Sequence, residues 1–230
     1  MDYEQASLDL HKKHRGKIEL KIKVPLASRE DLSTAYTPGV GRVSKEIAEH
    51  PETVNDYTAK KNSVAIITDG SSVLGLGNLG AHAAIPVMEG KAILFKHFAD
   101  IDAYPISLDT QDTEEIIKTI KHISPGFGGI NLEDIAAPRC FEIERRLQQE
   151  LDIPIMHDDQ HGTAMVVLAG VINALRVKGV KEGAEDQVRI VVNGAGAAGT
   201  AITKLLLAYG FSNIVVCDSR GIINAERTDL

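Results

Sequence analysis

Apolar and polar residues are arranged along this chain in two patterns, short apolar runs and longer segments with helical spacing. Five runs predict strands at 64–68, 91–96, 103–108, 128–132 and 153–156. Residues 112–123 begin with acidic residues and have apolar positions at helical spacing, which predicts an amphipathic helix. Pro138 suits the first turn of a second helix that runs to about Glu150. Strands alternating with helices predict an α/β fold with a mainly parallel sheet and right-handed crossovers.

The N-terminal part of the chain has a less regular pattern. Residues 1–30 mix charged and scattered apolar positions, which predicts a helix and then an extended segment used in packing or oligomer contacts. Pro38 keeps the preceding residue out of helical geometry, and a helical pattern follows over 40–50. Tyr36 therefore stands on a stiffened loop, where a tyrosine is usually a half-buried packing residue. The Asp69-Gly70 pair after the first strand indicates a hairpin turn.

Two acidic pairs, Glu133-Asp134 and Asp158-Asp159, directly follow predicted strands. Ligand crevices of parallel sheets lie beyond the carboxyl ends of the strands, so we expect the four carboxylates to converge at one sheet edge. Oxygen ligands without cysteine favour Mg²⁺ or Mn²⁺. The histidines that flank the second pair leave a weaker zinc interpretation. Helix capping is the plainer alternative for Asp158 and Asp159, but it leaves the first pair unexplained.

Two segments have the pattern G-x-G-x-x-G. The first, at 75–80, follows the predicted hairpin and lacks a second strand that ends in an acid. The second lies between a predicted strand at 188–193 and a helix closed by Gly210, and a strand at 213–217 ending in Asp218 follows. This is the full context of a dinucleotide-binding turn, whose N–H groups face a pyrophosphate. The predicted cofactor-binding residues of this turn are Gly194, Ala195, Gly196, Ala197, Ala198 and Gly199.

The residue that ends the last strand bears on the choice of cofactor. An acid at position 218 accepts hydrogen bonds from ribose hydroxyls and disfavours the 2′-phosphate of NADP, so Asp218 predicts NAD. Arg220 is close enough to keep NADP as an alternative.

A long apolar helix that begins near Gly162 and a polar, glycine-containing stretch at 179–186 separate two parts of the chain. We predict a substrate and metal domain at 1–165, a connecting helix and linker at 166–185, and the start of a Rossmann-type domain at 186–230. A complete dinucleotide fold needs several more strands, so we expect this chain to be C-terminally truncated.

Composition narrows the function classes. The formal net charge of −7 on 230 residues argues against a nucleic-acid surface. The N-terminus lacks the apolar core of a signal peptide, and no stretch reaches the ~18 apolar residues of a membrane span. Cys140 and Cys217 lie far apart and form no metal pattern, so we expect two small core residues in a cytoplasmic protein.

Oxidation of a hydroxyl by a dinucleotide requires a general base, and Lys91 is the candidate. It begins a predicted strand shortly after the first glycine pattern. A lysine held near a metal and away from solvent can have its pKa lowered toward neutrality. By itself, a lysine at a strand edge is most often a solvated surface residue.

In order along the chain, six segments resemble the motifs of the malic enzymes in their small bacterial form: AYTPGV, ITDGSSVLGLGNLG, EGKAILFK, NLEDI, HDDQHGTA and GAGAAG. The resemblance covers nearly the whole chain from about Leu8. It implies oxidative decarboxylation of malate to pyruvate and CO₂, with NAD or NADP and with Mg²⁺ or Mn²⁺. It also suggests a homodimer.

The same resemblance implies roles for individual residues. The implied metal ligands are Glu133, Asp134 and Asp159, and the implied catalytic residues are Tyr36, Lys91 and Asp158. Larger relatives carry an arginine for the substrate carboxylate where this chain has Ser72, so other groups are expected to bind it. Rival interpretations are a malolactic-type or oxaloacetate decarboxylase and, from another class, an inactive fragment that binds only substrate and metal.

Overall fold

The computed structural model describes residues 2–180, 183 and 185–227. The helices are α1 Tyr3–His14, α2 Arg29–Ala35, α3 Val40–Glu49, α4 Val54–Tyr57, α5 Ala81–Ala99, α6 Thr113–Ile123, α7 Arg139–Glu150, α8 Asp158–Val177 and α9 Ala197–Tyr209. The strands are β1 Ser63–Thr68, β2 Asp102–Ser107, β3 Gly129–Leu132, β4 Ile155–His157, β5 Arg189–Asn193, β6 Asn213–Asp218 and β7 Gly221–Ile222.

The first sheet is parallel throughout and has the strand order β2-β1-β3-β4. Its two central strands are almost fully buried, as their largely apolar runs require when helices cover both faces. One face packs against α6 and α7 through residues such as Ile67, Ile116 and Ile143. On the other face, Ile66 packs against Met88 and Ala92 of α5. The carboxyl ends of β3 and β4 are therefore neighbours.

The strand predicted at 91–96 is wrong, because these residues belong to the long helix α5. The buried positions of α5 are Ala81, Ala84, Met88 and Ala92, which share one face of a helix. The six-residue run looked like a strand because a short apolar run carries no periodicity of its own. Lys91 consequently projects from a helix.

The hairpin predicted at Asp69-Gly70 is also wrong, since a loop carries the chain from β1 into α5. The carbonyl of Gly70 accepts hydrogen bonds from the N–H groups of Leu79 and Gly80, at 3.1 and 3.0 Å. Gly70 has a φ of 66°, and a Cβ there would lie 2.2 Å from the carbonyl oxygen of Gly80. This close approach closes the loop that contains the first glycine pattern.

A second sheet follows, in which β5 and β6 are parallel and β6 and β7 are antiparallel. Helix α9 joins β5 to β6 and packs against α8. Gly210 ends α9 in the left-handed conformation, with a φ of 119°. The predicted fold class, an N-terminal α/β unit with a parallel sheet followed by the start of a Rossmann-type unit, is confirmed.

The N-terminal part of the chain is mostly exposed. Helix α1 buries none of its residues. An extended segment follows it and pairs with no strand among the described residues. The prediction that Tyr36 is half-buried is wrong, because its side chain is 67% exposed at the end of α2. Within the described residues, no helix combines the length and hydrophobicity needed to cross a bilayer.

Candidate active site

The two acidic pairs meet at the carboxyl edge of the first sheet, as predicted. Glu133 and Asp134 follow β3, whereas Asp158 and Asp159 begin α8 directly after β4. The backbone N–H of Asp134 donates to Oδ2 of Asp159 over 2.9 Å. This bond joins the two strand ends, because β3 and β4 lie side by side in the sheet.

Lys91 reaches this edge from α5. Its Nζ lies 2.7 Å from Oδ2 of Asp158 and 3.1 Å from Oε1 of Glu133. The side chain is 22% exposed, so the alternative of a solvated surface lysine is wrong. Burial alone would lower the pKa of Lys91, but the hydrogen bond to Asp158 and the charge of Glu133 outweigh burial and raise it. The expected lowering is absent because two carboxylates face the ammonium group.

Helix capping does not explain the aspartates of α8. The N-cap residue of α8 is His157, and its side chain makes no capping hydrogen bond. The carboxylate of Asp158 contacts Lys91 instead. A Cβ added at Gly162 would lie only 2.3 Å from Oδ1 of Asp158. The absence of a side chain at Gly162 therefore leaves room for the Asp158 carboxylate.

The carboxyl groups of this edge differ in the direction of their pKa shifts. Burial raises the pKa of Glu133 to about 7, and the charges of Asp159 and Asp158 add to this effect. Burial and the charge of Asp159 raise the pKa of Asp134 to about 6. Burial acts in the same direction on Asp159, but the contact with His157 and the N–H of Asp134 outweigh it and lower the pKa of Asp159. Burial and repulsion thus disfavour the ionised forms of Glu133 and Asp134 even with Lys91 nearby.

A divalent cation fits the chemistry of this edge. Oδ2 of Asp134 is buried and has no hydrogen-bond partner among the described residues. Carboxylate oxygens in excess over nearby cations are the ligands that Mg²⁺ and Mn²⁺ prefer. Within the described part of the chain, no three His, Cys, Asp or Glu side chains are arranged so that they could hold an ion. The donors are thus present, but they are not gathered around a common point, and Lys91 lies between two of them.

Sequence reasoning missed the polar residues that hold these loops. Asn131, in the buried strand β3, donates from Nδ2 to Oε2 of Glu133 over 2.7 Å. The side chain of Asp69 is fully buried and accepts from Nε and Nη2 of Arg139 at 3.1 and 2.9 Å. An amide in an otherwise apolar strand was the one available signal for Asn131. No signal in the sequence paired Asp69 with Arg139, which is 70 positions away.

These contacts tie the loop after β1 to the loop after β3. Oδ1 of Asp69 accepts from the N–H of Ser71, and Oγ of Ser71 accepts from the N–H of Ala136 over 2.9 Å. The N–H of Ser72 donates to the carbonyl oxygen of Asp134 over 3.0 Å. Asp134 has a φ of 55°, an uncommon conformation for an L-residue that these bonds help to maintain. Ser72 thus borders the acidic edge.

Tyr36 is not brought to this edge. It ends α2, and no described contact joins its hydroxyl to Lys91 or to the carboxylates.

The predicted dinucleotide turn has the backbone that such a turn requires. Gly194 has a φ of 116°, and Gly196 is the N-cap of α9. A Cβ at Gly199 would lie 1.8 Å from the carbonyl oxygen of Gly194, so only glycine lets the helix approach the turn this closely. Ala195, Ala197 and Ala198 complete the turn and the first residues of α9. The N–H groups at the start of α9 are available for an anion.

Asp218 ends β6, where a ribose-binding acid is expected. Its carboxylate accepts from Nη1 and Nη2 of Arg227, at 3.2 and 2.8 Å, and from the N–H of Arg220 at 2.8 Å. Sequence reasoning considered Arg220 but missed Arg227.

Comparison with known proteins agrees with this arrangement. The family model described as malic enzyme, N-terminal domain, matches residues 15–148, more than half of the chain. The model described as malic enzyme, NAD binding domain, matches residues 160–230. The chain belongs to the malic enzyme family. Malic enzymes named NAD-dependent and NADP-dependent are both among the similar proteins.

Three relatives show how far the similarity extends. The NAD-dependent malic enzyme of Geobacillus stearothermophilus is 59% identical over 93% of this chain and 44% of its own length. The bifunctional malic/malolactic enzyme of Bacillus subtilis is 55% identical over 99% of this chain and 55% of its own length. The crystal structure of the NAD-dependent malic enzyme of Thermotoga maritima superposes with a TM-score of 0.91 at 52% identity, covering 95% of this chain and 57% of that one. The chain thus spans about half the length of these relatives.

Proposed function

We propose that the protein catalyses the oxidative decarboxylation of malate to pyruvate and CO₂, with reduction of NAD(P) and with Mg²⁺ or Mn²⁺. The observation that carries this proposal is the position of Lys91, held by Asp158 and Glu133 at the sheet edge beside Asp134 and Asp159. A base beside a cluster of carboxylates suits a metal-dependent oxidation of a hydroxy acid.

Glu133, Asp134 and Asp159 would hold the divalent ion. Raised pKa values at Glu133 and Asp134 support this assignment, because burial and repulsion between carboxylates disfavour the ionised forms, which a bound cation would stabilise. When bound, the ion would supply Lewis acidity toward the C2 oxygen of malate and toward the enolate that remains after loss of CO₂.

Lys91 would remove the proton from the C2 hydroxyl as hydride leaves C2 for the nicotinamide. Asp158 would orient the amine through the 2.7 Å contact. For this role Lys91 must be neutral, and a cation among the same carboxylates would repel the ammonium form and lower the pKa of Lys91. The oxaloacetate formed would lose CO₂. The resemblance implies that the hydroxyl of Tyr36 would protonate C3 of the enolpyruvate, for which Tyr36 would have to reach this edge from its exposed position at the end of α2.

The glycine turn at 194–199 would bind the cofactor pyrophosphate, and Asp218 would accept from the ribose hydroxyls. We favour NAD because the carboxylate at Asp218 disfavours a 2′-phosphate. Its present partner Arg227 would have to share that carboxylate with the ribose.

We also infer a domain division at 1–165, 166–185 and 186–230, a cytoplasmic location and a homodimer. Support for the homodimer comes from the extended segment after α1, in which apolar and charged residues alternate. The alternate apolar side chains are 46–87% exposed at Ile18, Leu20, Ile22, Val24 and Leu26. A second copy covering this stripe would remove it from water.

The proposal is tested by NADH formation from malate and Mn²⁺, with pyruvate and lactate measured as products. Lys91→Ala should abolish NADH formation. Tyr36→Phe should still reduce NAD⁺ with malate far better than it forms pyruvate. If turnover survives both substitutions, these roles are wrong. Lactate without net NADH would favour malolactic chemistry, a second candidate suggested by the name of the Bacillus subtilis relative.

A further inference from the structure

Beneath the acidic edge lies a chain of buried polar side chains that the proposed mechanism does not use. His157, the last residue of β4, is completely buried. Its Nδ1 lies 3.1 Å from Nε2 of Gln160, and the same Nε2 lies 3.1 Å from Oε2 of Glu144. Glu144 is 5% exposed and also accepts from the backbone N–H of His157 over 2.9 Å. Buried polar groups linked in this way hold one another in fixed orientations.

The hydrogen-bonding capacity of these groups fixes the tautomer of His157. A carboxylate only accepts, so the atom of Gln160 that faces Glu144 must be the amide nitrogen. The second hydrogen of that nitrogen points to Nδ1 of His157, which must then be the acceptor. In the neutral imidazole the remaining hydrogen is therefore on Nε2.

Nε2 of His157 lies 3.3 Å from Oδ2 of Asp159. The contact is close enough for His157 to lower the pKa of Asp159, although its geometry is not that of a hydrogen bond. Nε2 has no hydrogen-bond partner among the described residues. The same Oδ2 accepts from the N–H of Asp134 over 2.9 Å. Both contacts fall on one oxygen, which leaves Oδ1 of Asp159 as the oxygen available to a cation.

We infer that His157 is a positioning residue for the metal site: its Nε2–H turns Oδ2 of Asp159 inward so that Oδ1 faces the ion, while Glu144 and Gln160 maintain the required tautomer. This inference rests on the proposed role of Asp159 as a metal ligand. Residues that orient a metal ligand typically change metal affinity by about 10–100-fold when they are replaced. His157 itself is not a ligand here, since both ring nitrogens face protein groups.

His161 marks the outer end of this chain of contacts. Its Nε2 lies 2.9 Å from the Glu144 carboxylate, and its side chain is 48% exposed. It contacts Glu144, and no described contact joins it to Asp159. His161→Gln therefore serves as a matched control on the same network.

The experiment measures the Mn²⁺ dissociation constant by electron paramagnetic resonance of free Mn²⁺, without substrate or cofactor. His157→Phe keeps a flat ring but removes the donor, and we expect binding about 10–100-fold weaker. His157→Gln places an amide N–H near the position of Nε2, and we expect affinity within about threefold of the unsubstituted protein. His161→Gln should leave affinity unchanged.

Equal weakening by His157→Phe and His157→Gln would indicate a merely structural role and overturn the inference. Unchanged affinity in His157→Phe would also overturn it, provided that Asp159→Asn abolishes binding. If Asp159→Asn binds Mn²⁺ normally, the proposed metal site itself is wrong, and the two failures are thus distinguished. If circular dichroism shows that His157→Phe does not fold, Gln160→Met replaces it. This variant removes the amide that fixes the tautomer of His157, so it should also bind Mn²⁺ more weakly. Unchanged Mn²⁺ affinity in Gln160→Met would refute the inference.

Discussion

Replacing Gly162 with alanine should impair the catalytic role of Lys91 without unfolding the protein. A Cβ at Gly162 would lie 2.3 Å from Oδ1 of Asp158, whereas ordinary contact begins near 3.4 Å. The carboxylate must therefore move by about 1 Å, and a misplacement of that size near a reacting group costs up to ~10²-fold in rate. Because Asp158 holds Lys91 at 2.7 Å, we expect Gly162→Ala to lower malate-dependent NADH formation by about 10–100-fold.

The matched control is Gly170→Ala in the same helix, where a Cβ would meet nothing within 4 Å. Alanine in place of glycine inside a helix adds up to ~1 kcal/mol of stability, so Gly170→Ala should raise the free energy of unfolding and leave activity unchanged. Gly162→Ala should not unfold the protein, because the group that must move is the end of a side chain.

Two assays check this prediction. NADH absorbance measures activity, and peptide mass mapping measures the rate at which acetic anhydride acetylates Lys91. In Gly162→Ala the weakened pairing should make Lys91 react faster than in Gly170→Ala. If the two variants have equal activity and equal acetylation rates, the contact between Asp158 and Lys91 does not orient the base, and our reasoning is refuted.

Three further predictions concern the surrounding structure. Arg139→Met should cost about 3 kcal/mol in urea unfolding because it leaves the buried carboxylate of Asp69 without its cation, and an unchanged midpoint would contradict this. The pKa of Glu133 is raised to about 7 in the folded protein, so its contribution to metal-free stability is fully present below the ordinary value of 4.5 and is lost as the pH rises from 4.5 to about 7. Glu133→Gln should flatten the decline in unfolding free energy over this pH range. Gly199→Ala should abolish NAD binding in calorimetry, whereas Gly170→Ala, outside the turn and with open space around its Cβ, should retain it; equal affinities would argue against the proposed turn.

Local patterns predicted most elements of the fold, because buried strands and amphipathic helices have distinct periodicities. The run at 91–96 was mistaken for a strand, because the burial that identifies a helix is visible only over the full length of Ala81–Ala99. The placement of Lys91 on a helix therefore came from the structure, although the family resemblance had implied catalytic roles for both Lys91 and Asp158.

The convergence of Glu133 and Asp159 was predictable, since parallel strands end at a common edge. The role of His157 was not, because a histidine beside two aspartates looks like a metal ligand until its burial and its contact with Gln160 are known. Sequence separation hides such contacts: Glu144 lies 13 positions before His157, on the preceding helix.

Helix α8 begins at Asp158 with no intervening loop after β4, and its other contacts include α9 of the second unit. A helix of 20 residues is about 30 Å long and bends little, so α8 moves as a rigid rod with the proposed metal ligand Asp159 at its N-terminal end. Because α8 packs against α9, a tilt of the second unit as it takes up a nucleotide would be transmitted along α8 to Asp159. Cation affinity and nucleotide affinity should then be thermodynamically coupled, each raising or lowering the other by the same factor.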